Sequence, residues 1–362
     1  MTRGEPSGRG FRVGLGASPR FVSGLALAGL LALFAAGVWS ASWTDTGTGA
    51  GPTDAALYQR VIDEVRQGVP YYTAAIREQR RMGYPLRPFV TVRMPLLAVS
   101  LAALPTPLVR RAALGGLAVA ALAAWGWRLA TMDAGWTRLA LALGLMVSGV
   151  TVAFSPLAYP FHEVWAGLLI ALSLALRRPD GWVLSVLIGL LAALTRDIAA
   201  AYLLVMAVMA WKDGRRREAA AWIAVLAVFA GALAAHAGAV QARLLPGDGV
   251  SPGWLAIGGW RFILQMGRWN AIVAAAPRWV AAALMPAALL GLAMWRHPLG
   301  ERLALTVLGY TVAFAIFGRA TNTYWGLLIA PLWPLGLLIA PRAVVVLWRR
   351  VTPGAGRSPI DV

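Results

Sequence analysis

Apolar residues fall into long runs at 21–41, 110–130, 137–154, 163–176, 181–195, 197–211, 218–240, 273–295, 301–318 and 322–347, separated by short polar or basic connections. A run of about 17 to 25 apolar residues can cross a bilayer as a helix. The pattern therefore predicts an all-α, polytopic transmembrane bundle of about ten spans over 21–350. The stretch 90–105 is also apolar, but it carries Arg93 and is interrupted by Pro95 and Pro105. Those features suit a re-entrant or interfacial segment better than a crossing.

Residues 42–109, between the first two runs, have a different pattern. Leu57, Tyr58, Val61, Ile62 and Val65 recur at helical spacing, with Gln59, Arg60, Asp63, Glu64 and Arg66 between them. This predicts an amphipathic helix with Thr53 or Asp54 as N-cap and Gly68 as its stop. Pro70 opens a second helix that ends near Gly83. Both are expected to lie along the membrane surface, apolar side down.

Composition agrees with the pattern. The chain is 59% hydrophobic and 13% charged, against roughly 25% charged in an average soluble domain, which excludes an ordinary globular protein. The run 21–41 follows Arg3, Arg9, Arg12 and Arg20 and is longer than the about 7 to 15 residues of a signal-peptide core, so it reads as a retained anchor. The net charge of +18 sits in connections between apolar runs; it is a topology signal, and nucleic-acid binding is rejected. The N-terminal tail, Arg177-Arg178, Lys212 to Arg217, Arg296 to Arg302 and Arg349-Arg350 are the strongest basic clusters. Excess Arg and Lys mark cytoplasmic loops, which puts both termini in the cytoplasm. The tails 1–20 and 351–362 are Gly-, Pro-, Arg- and Ser-rich and read as disordered. The outer face then receives 42–109, the loop Ser155 to Glu163, the turn Thr195-Arg196-Asp197, residues 241–272 and the turn Gly318 to Asn322.

Candidate chemistry collects on that face. Arg77, Arg80, Arg81, Arg87 and Arg93 lie among Tyr71, Tyr72 and Tyr84, a mixture that suits a lipid phosphate or, more simply, anchorage to anionic headgroups. Asp54 is either a cap on the helix dipole or a general base for an acceptor hydroxyl, with Asp45 as the alternative base. His162-Glu163 is either an interfacial cap or a source of a second acid. Arg196-Asp197 and Arg319 are either polar turns or site contacts. Trp254, Trp260, Trp269 and Trp279 read as an aromatic belt. The sequence has no cysteine, which removes thiol chemistry and disulfides. It also lacks a Gly-rich Lys-Ser/Thr phosphate loop, so ATP-driven transport is unsupported. There is no internal repeat of the kind secondary transporters carry. No acidic cluster has metal-ligand spacing.

The stretches Thr53-Asp54-Ala55-Ala56-Leu57-Tyr58, Gly68-Val69-Pro70-Tyr71-Tyr72, Tyr84-Pro85-Leu86-Arg87-Pro88 and Arg93-Met94-Pro95-Leu96-Leu97, with the later Ala193-Leu194-Thr195-Arg196-Asp197 turn, resemble the GT-C superfamily of membrane glycosyltransferases. The likeness is to bacterial, mannosyltransferase-like members and covers about the first 210 residues. It implies transfer of a sugar from a polyprenyl-phosphate donor to a lipid or glycan acceptor on the periplasmic face. Carried over residue by residue, it makes Asp54 (or Asp45) the base and Arg87 or Arg93, with Arg196, the donor-phosphate contacts. Tyr58, Tyr72, Glu163, Asp197 and Arg319 become candidate substrate contacts. Many members carry two acidic residues close together early in the loop. Here Asp45 and Asp54 are separated by a linker, which leaves open the choice of base and any divalent-cation requirement. The rival expectation is a transporter or flippase of a lipid-linked saccharide.

Overall fold

The computed structural model describes residues 19–39, 52–132, 135–253 and 255–352. Asp45, Trp254 and most of both tails lie outside them. Among the described residues every regular element is helical and there is no strand. The first part comprises α1 (Pro19–Trp39), α2 (Pro52–Arg66), α3 (Tyr71–Arg81), a 3-10 turn at Phe89–Thr91 and α4 (Leu96–Ala102). The bundle continues with α5 (Pro107–Ala130), α6 (Trp136–Val150), α7 (His162–Leu176), α8 (Val183–Thr195), α9 (Ala200–Lys212) and α10 (Arg216–Gln241). It ends with α11 (Gly259–Gly267), α12 (Ala271–Ala275), α13 (Arg278–Ala293), α14 (Pro298–Phe317) and α15 (Ala340–Val351).

Among the described residues five helices are long and apolar enough to cross a membrane: α1, α5, α6 with its 3-10 extension to Phe154, α10 and α14. The helices α7, α8, α9 and α13 have 15, 13, 13 and 16 residues. At about 1.5 Å per residue each is shorter than a hydrocarbon core of about 30 Å. Helix α7 is apolar on all sides and correspondingly buried along most of its length, as a helix enclosed by others must be. Polar side chains lock the neighbours together at depth. Trp125 Nε1 donates to Ala171 O at 2.9 Å, and Ser173 Oγ meets Tyr202 OH at 2.7 Å and Ser185 Oγ at 3.0 Å.

The segment between α1 and α5 forms the predicted pair of helices, except that Thr53 and Asp54 lie inside the first turn of α2, which starts at Pro52, and not at its cap. Gly68 and Gly83 adopt φ of +91° and +73°, a left-handed conformation that glycine enters without penalty. Each ends its helix for that reason. Leu57, Val61 and Ile62 of α2 pack with Ala74, Ala75 and Ile76 of α3 and Leu97, Ala98 and Leu101 of α4. Burying each Leu or Ile side chain there contributes about 2 kcal/mol. Helix α4 has seven residues, about 10 Å at the helical rise. Thr106 ends this segment by accepting a bond from Val109 N at 3.2 Å, which caps α5. Arg110, in the first turn of α5, is fully buried; it donates to Leu101 O at 2.9 Å and lies 3.4 Å from Asp63. It staples the loop to the bundle.

The run 322–347 is not one helix. It contains two 3-10 stretches, Ala320–Leu328 and Trp333–Leu338, followed by α15. Pro331 and Pro334 lack the N–H that a continuous helix needs. Glycines on three helices then receive the irregular backbone. A methyl group on Gly149 of α6 would lie 2.1 Å from Ala330 O, one on Gly167 of α7 2.3 Å from Leu327 O, and one on Gly291 of α13 1.9 Å from Gly336 O. Residues 323–336 are almost entirely buried in protein, the setting in which non-helical backbone is tolerated at membrane depth.

Charged groups mark the two ends of the bundle. At one end Arg177 makes a bidentate pair with Glu218 at 2.9 and 2.8 Å, Lys212 meets Glu301 at 2.6 Å, and Arg302 bonds to Asp213. Helix α8 runs from this end to Arg196 at the other, where α7 begins, α14 finishes and α2 to α4 pack.

Candidate functional site

A cleft of about 520 Å³ opens at that second end, within the range of about 300 to 1,000 Å³ common for small-molecule sites. Asp54, Tyr58, Gln79, Tyr84, Arg93, Arg196, Ser251, Arg319 and Tyr324 contribute to its wall. They come from α2, α3, the segments after it, the α8–α9 turn, the 251–253 loop and the turn after α14.

Arg93 is held by its backbone as well as by its side chain. The carbonyls of three successive residues are each engaged: Thr91 O accepts from Gln79 Nε2 at 3.0 Å, Val92 O lies 3.1 Å from His236 Nε2, and Arg93 O accepts from Tyr71 OH at 2.6 Å. Tyr72 OH completes this clamp by meeting His236 Nδ1 at 3.2 Å. The guanidinium then donates from Nε to Tyr58 OH at 3.1 Å and from Nη2 to Tyr324 OH at 3.3 Å.

Arg196 donates from Nε to Glu163 Oε1 at 2.6 Å and from Nη1 to Asp197. The same Glu163 oxygen lies 3.9 Å from Arg93 Nη2. A completely buried carboxylate thus stands between two arginines and offsets the repulsion that would otherwise part them. Neither Glu163 nor Asp197 lines the cleft. Arg93 Nη1 and Arg196 Nη2 have no protein partner among the described residues, and both residues face the cleft. Two N–H-bearing edges are therefore free to receive an anion.

Asp54 is 7% exposed and accepts a bond from Tyr84 OH. Burial raises its pKa above the usual carboxylate value; the Tyr84 bond and the Arg93 charge oppose that rise without reversing it. Burial, followed by the bond to Asp54, raises Tyr84 in turn, so Tyr84 stays a donor.

Of the residues singled out in the sequence, the structure brings Asp54, Tyr58, Arg93, Arg196 and Arg319 together on the cleft wall, with Glu163 and Asp197 behind Arg196. It does not bring Arg87 or Tyr72 there. Arg87 turns toward Leu245 O at 3.2 Å, and Tyr72 serves the Arg93 clamp. His162 diverges from Glu163: its ring meets Tyr58 edge-on at 5.0 Å, and neither ring nitrogen has a hydrogen-bond partner. Asp45 lies outside the described residues. Among the described residues no group of three or more Asp, Glu or His side chains is placed to hold a metal ion.

Sequence reading missed Tyr324, because it falls inside an apolar run; the adjacent Asn322 and Thr323 were the available signal. It also missed the 245–253 loop. Asp248 there takes a bidentate bond from Arg80 at 2.7 and 2.9 Å, which with Leu245 N holds its pKa at about 2. Arg319 donates to Pro252 O and Gly253 O, so the loop is tied down at two points along its length.

Comparison of the chain with protein-family models, with curated proteins and with solved structures returns no match. What defines the molecule is therefore its architecture: described residues whose regular elements are all helical, several of them of membrane length, and, at one end, a polar cleft lined by Asp54, Arg93 and Arg196.

Proposed function

We propose that the chain is a membrane glycosyltransferase of the GT-C type, moving a sugar from a polyprenyl phosphate to an acceptor hydroxyl at the outer face of a bacterial inner membrane. The observation that carries this reading is the convergence of Asp54 with Arg93 and Arg196 on one cleft beside two amphipathic helices. In this reading α2 and α3 lie on the outer surface, the basic end faces the cytoplasm, and most of the apolar runs span between.

The reaction needs few parts. An acceptor oxygen attacks the anomeric carbon, its proton passes to the Asp54 carboxylate, and the bond from that carbon to the phosphate oxygen breaks with the electron pair leaving on phosphate. A general base contributes typically 10²- to 10⁴-fold. Fixed donors aimed at the departing charge contribute further, a role that falls to Arg93 Nη1 and Arg196 Nη2. Glu163 and Asp197 position Arg196. Arg87, turned toward Leu245, is left with a role in the loop.

A carrier of a lipid-linked saccharide would line a path through the midplane. The stretches 114–127, 164–176, 183–195, 219–235 and 303–317 contain no Asp, Glu, Lys or Arg, which favours the enzyme. The test is turnover of labelled polyprenyl-phosphate sugars by membranes containing the chain, counting transfer to water where no acceptor is supplied. Consumption of one donor supports transfer. Passage of intact donor across vesicles without consumption would instead establish the carrier.

A further inference from the structure

A second cavity of about 430 Å³ lies at the end opposite the cleft, between the residues that follow α13 and the face of α15. Trp295, Arg296, Arg342, Val346 and Arg350 line it. Arg342, Val346 and Arg350 are spaced four apart, so they share one face of α15. Helix α15 is amphipathic: Ala340, Ala343 and Leu347 pack it against the bundle, while Trp348 stays 58% exposed.

Arginines at the cytoplasmic ends of membrane helices ordinarily reach separately into water. Here three converge on one concavity from two segments of the chain. None of them has a carboxylate partner among the described residues. The ion-paired carboxylates at this end are engaged elsewhere, Glu301 by Lys212, Glu218 by Arg177 and Asp213 by Arg302. The concavity thus presents positive charge without an internal counter-ion, beside apolar surface from Val346 and Trp295.

We infer that this cavity is a binding site for the phosphodiester headgroup of an anionic phospholipid, with Arg296, Arg342 and Arg350 holding the phosphate. Basic pockets between helices on the cytoplasmic side suit that chemistry, and guanidinium forks match phosphate oxygens in pairs. The site is independent of the transfer reading, since no donor sugar enters its measurement.

The experiment uses the full chain in detergent micelles doped with phosphatidylcholine and a small fraction of labelled phosphatidylglycerol, with bound lipid read by native mass spectrometry. Wild type is expected to retain phosphatidylglycerol in preference to phosphatidylcholine. The double variant Arg342→Gln/Arg350→Gln is expected to lose about thirtyfold of that preference. Arg349→Gln, on the same helix but off the cavity, is expected to keep it. Arg296→Gln, which leaves α15 untouched, gives a second route to the same loss if the double variant fails to fold. The inference is overturned if Arg349→Gln lowers retention as much as the cavity variants do, which would make the effect general surface charge. Unchanged retention in the cavity variants also overturns it. Displacement of the lipid by millimolar inorganic phosphate does so too, by making the cavity a free-anion site.

Discussion

Asp54→Asn separates chemistry from folding because the two effects are expected to have opposite signs. Asparagine is nearly isosteric with aspartate, and its carbonyl oxygen can still accept from Tyr84, so the local geometry is retained. What disappears is the ability to take a proton. With the base responsible for about 10² to 10⁴ in rate, the variant should lose about 3 to 5 kcal/mol of transition-state stabilisation, at 1.36 kcal/mol per tenfold. Stability should move the other way. Burial raises the Asp54 pKa above its unfolded value, so the folded state favours the protonated form. That stabilising contribution is complete below the unfolded pKa and is lost as pH rises through the folded one. At neutral pH the carboxylate is a burden on the fold, and Asn removes it. Thermal unfolding in detergent should show the variant at least as stable as wild type at pH 7, with any advantage shrinking at acidic pH. The assay is donor consumption against pH: wild-type rate should rise with pH through the raised Asp54 pKa, and the residual rate of Asp54→Asn should lack that limb. Equal consumption by both proteins, with both folded, would refute the assignment of the base.

Three further outcomes follow from the geometry. Arg93→Lys keeps the charge but cannot reproduce the bonds to Tyr58 and Tyr324 while presenting an edge to the cleft; losing a charge-assisted bond of about 1.5 to 3 kcal/mol lowers kcat/KM roughly 10- to 100-fold, and an unchanged value in steady-state kinetics would remove Arg93 from the site. Gly291→Ala puts a methyl group 1.9 Å from Gly336 O and should destabilise by about 3 kcal/mol or more, whereas Gly231→Ala meets nothing within 4 Å and should be neutral; equal unfolding temperatures for the two would contradict the packing. Arg177→Gln strands Glu218, which is 1% exposed, and should cost about 3 to 5 kcal/mol, a loss that Glu218→Gln in the same chain should partly restore if the buried charge is the cause.

Local pattern carried much of this protein. The spacing of Leu57, Val61 and Ile62, the Gly68 and Gly83 stops and the Pro70 start give α2 and α3 in the expected places, because those signals act within one or two helical turns. Arg196 and Arg319 were legible as polar groups at the ends of apolar runs, Arg93 as a charge inside a short apolar stretch, and Asp54 as a carboxylate at the start of an amphipathic helix. Sequence reading also selected Arg87, which the fold turns toward Leu245 O and away from the cleft. It also passed over Tyr324, which an apolar context disguised.

The sequence by itself determined that the chain is helical, with runs long and apolar enough to cross a membrane, since hydropathy and length depend on composition within each segment. Only the tertiary structure decided that 320–338 is an irregular wedge seated on Gly149, Gly167 and Gly291. It also decided that Glu163 lies between two arginines and that Asp54 is bonded to Tyr84 on the cleft wall. These are contacts between residues tens to hundreds of positions apart, fixed by which backbones can approach closely and which buried charges find partners. No periodicity within a single run records them.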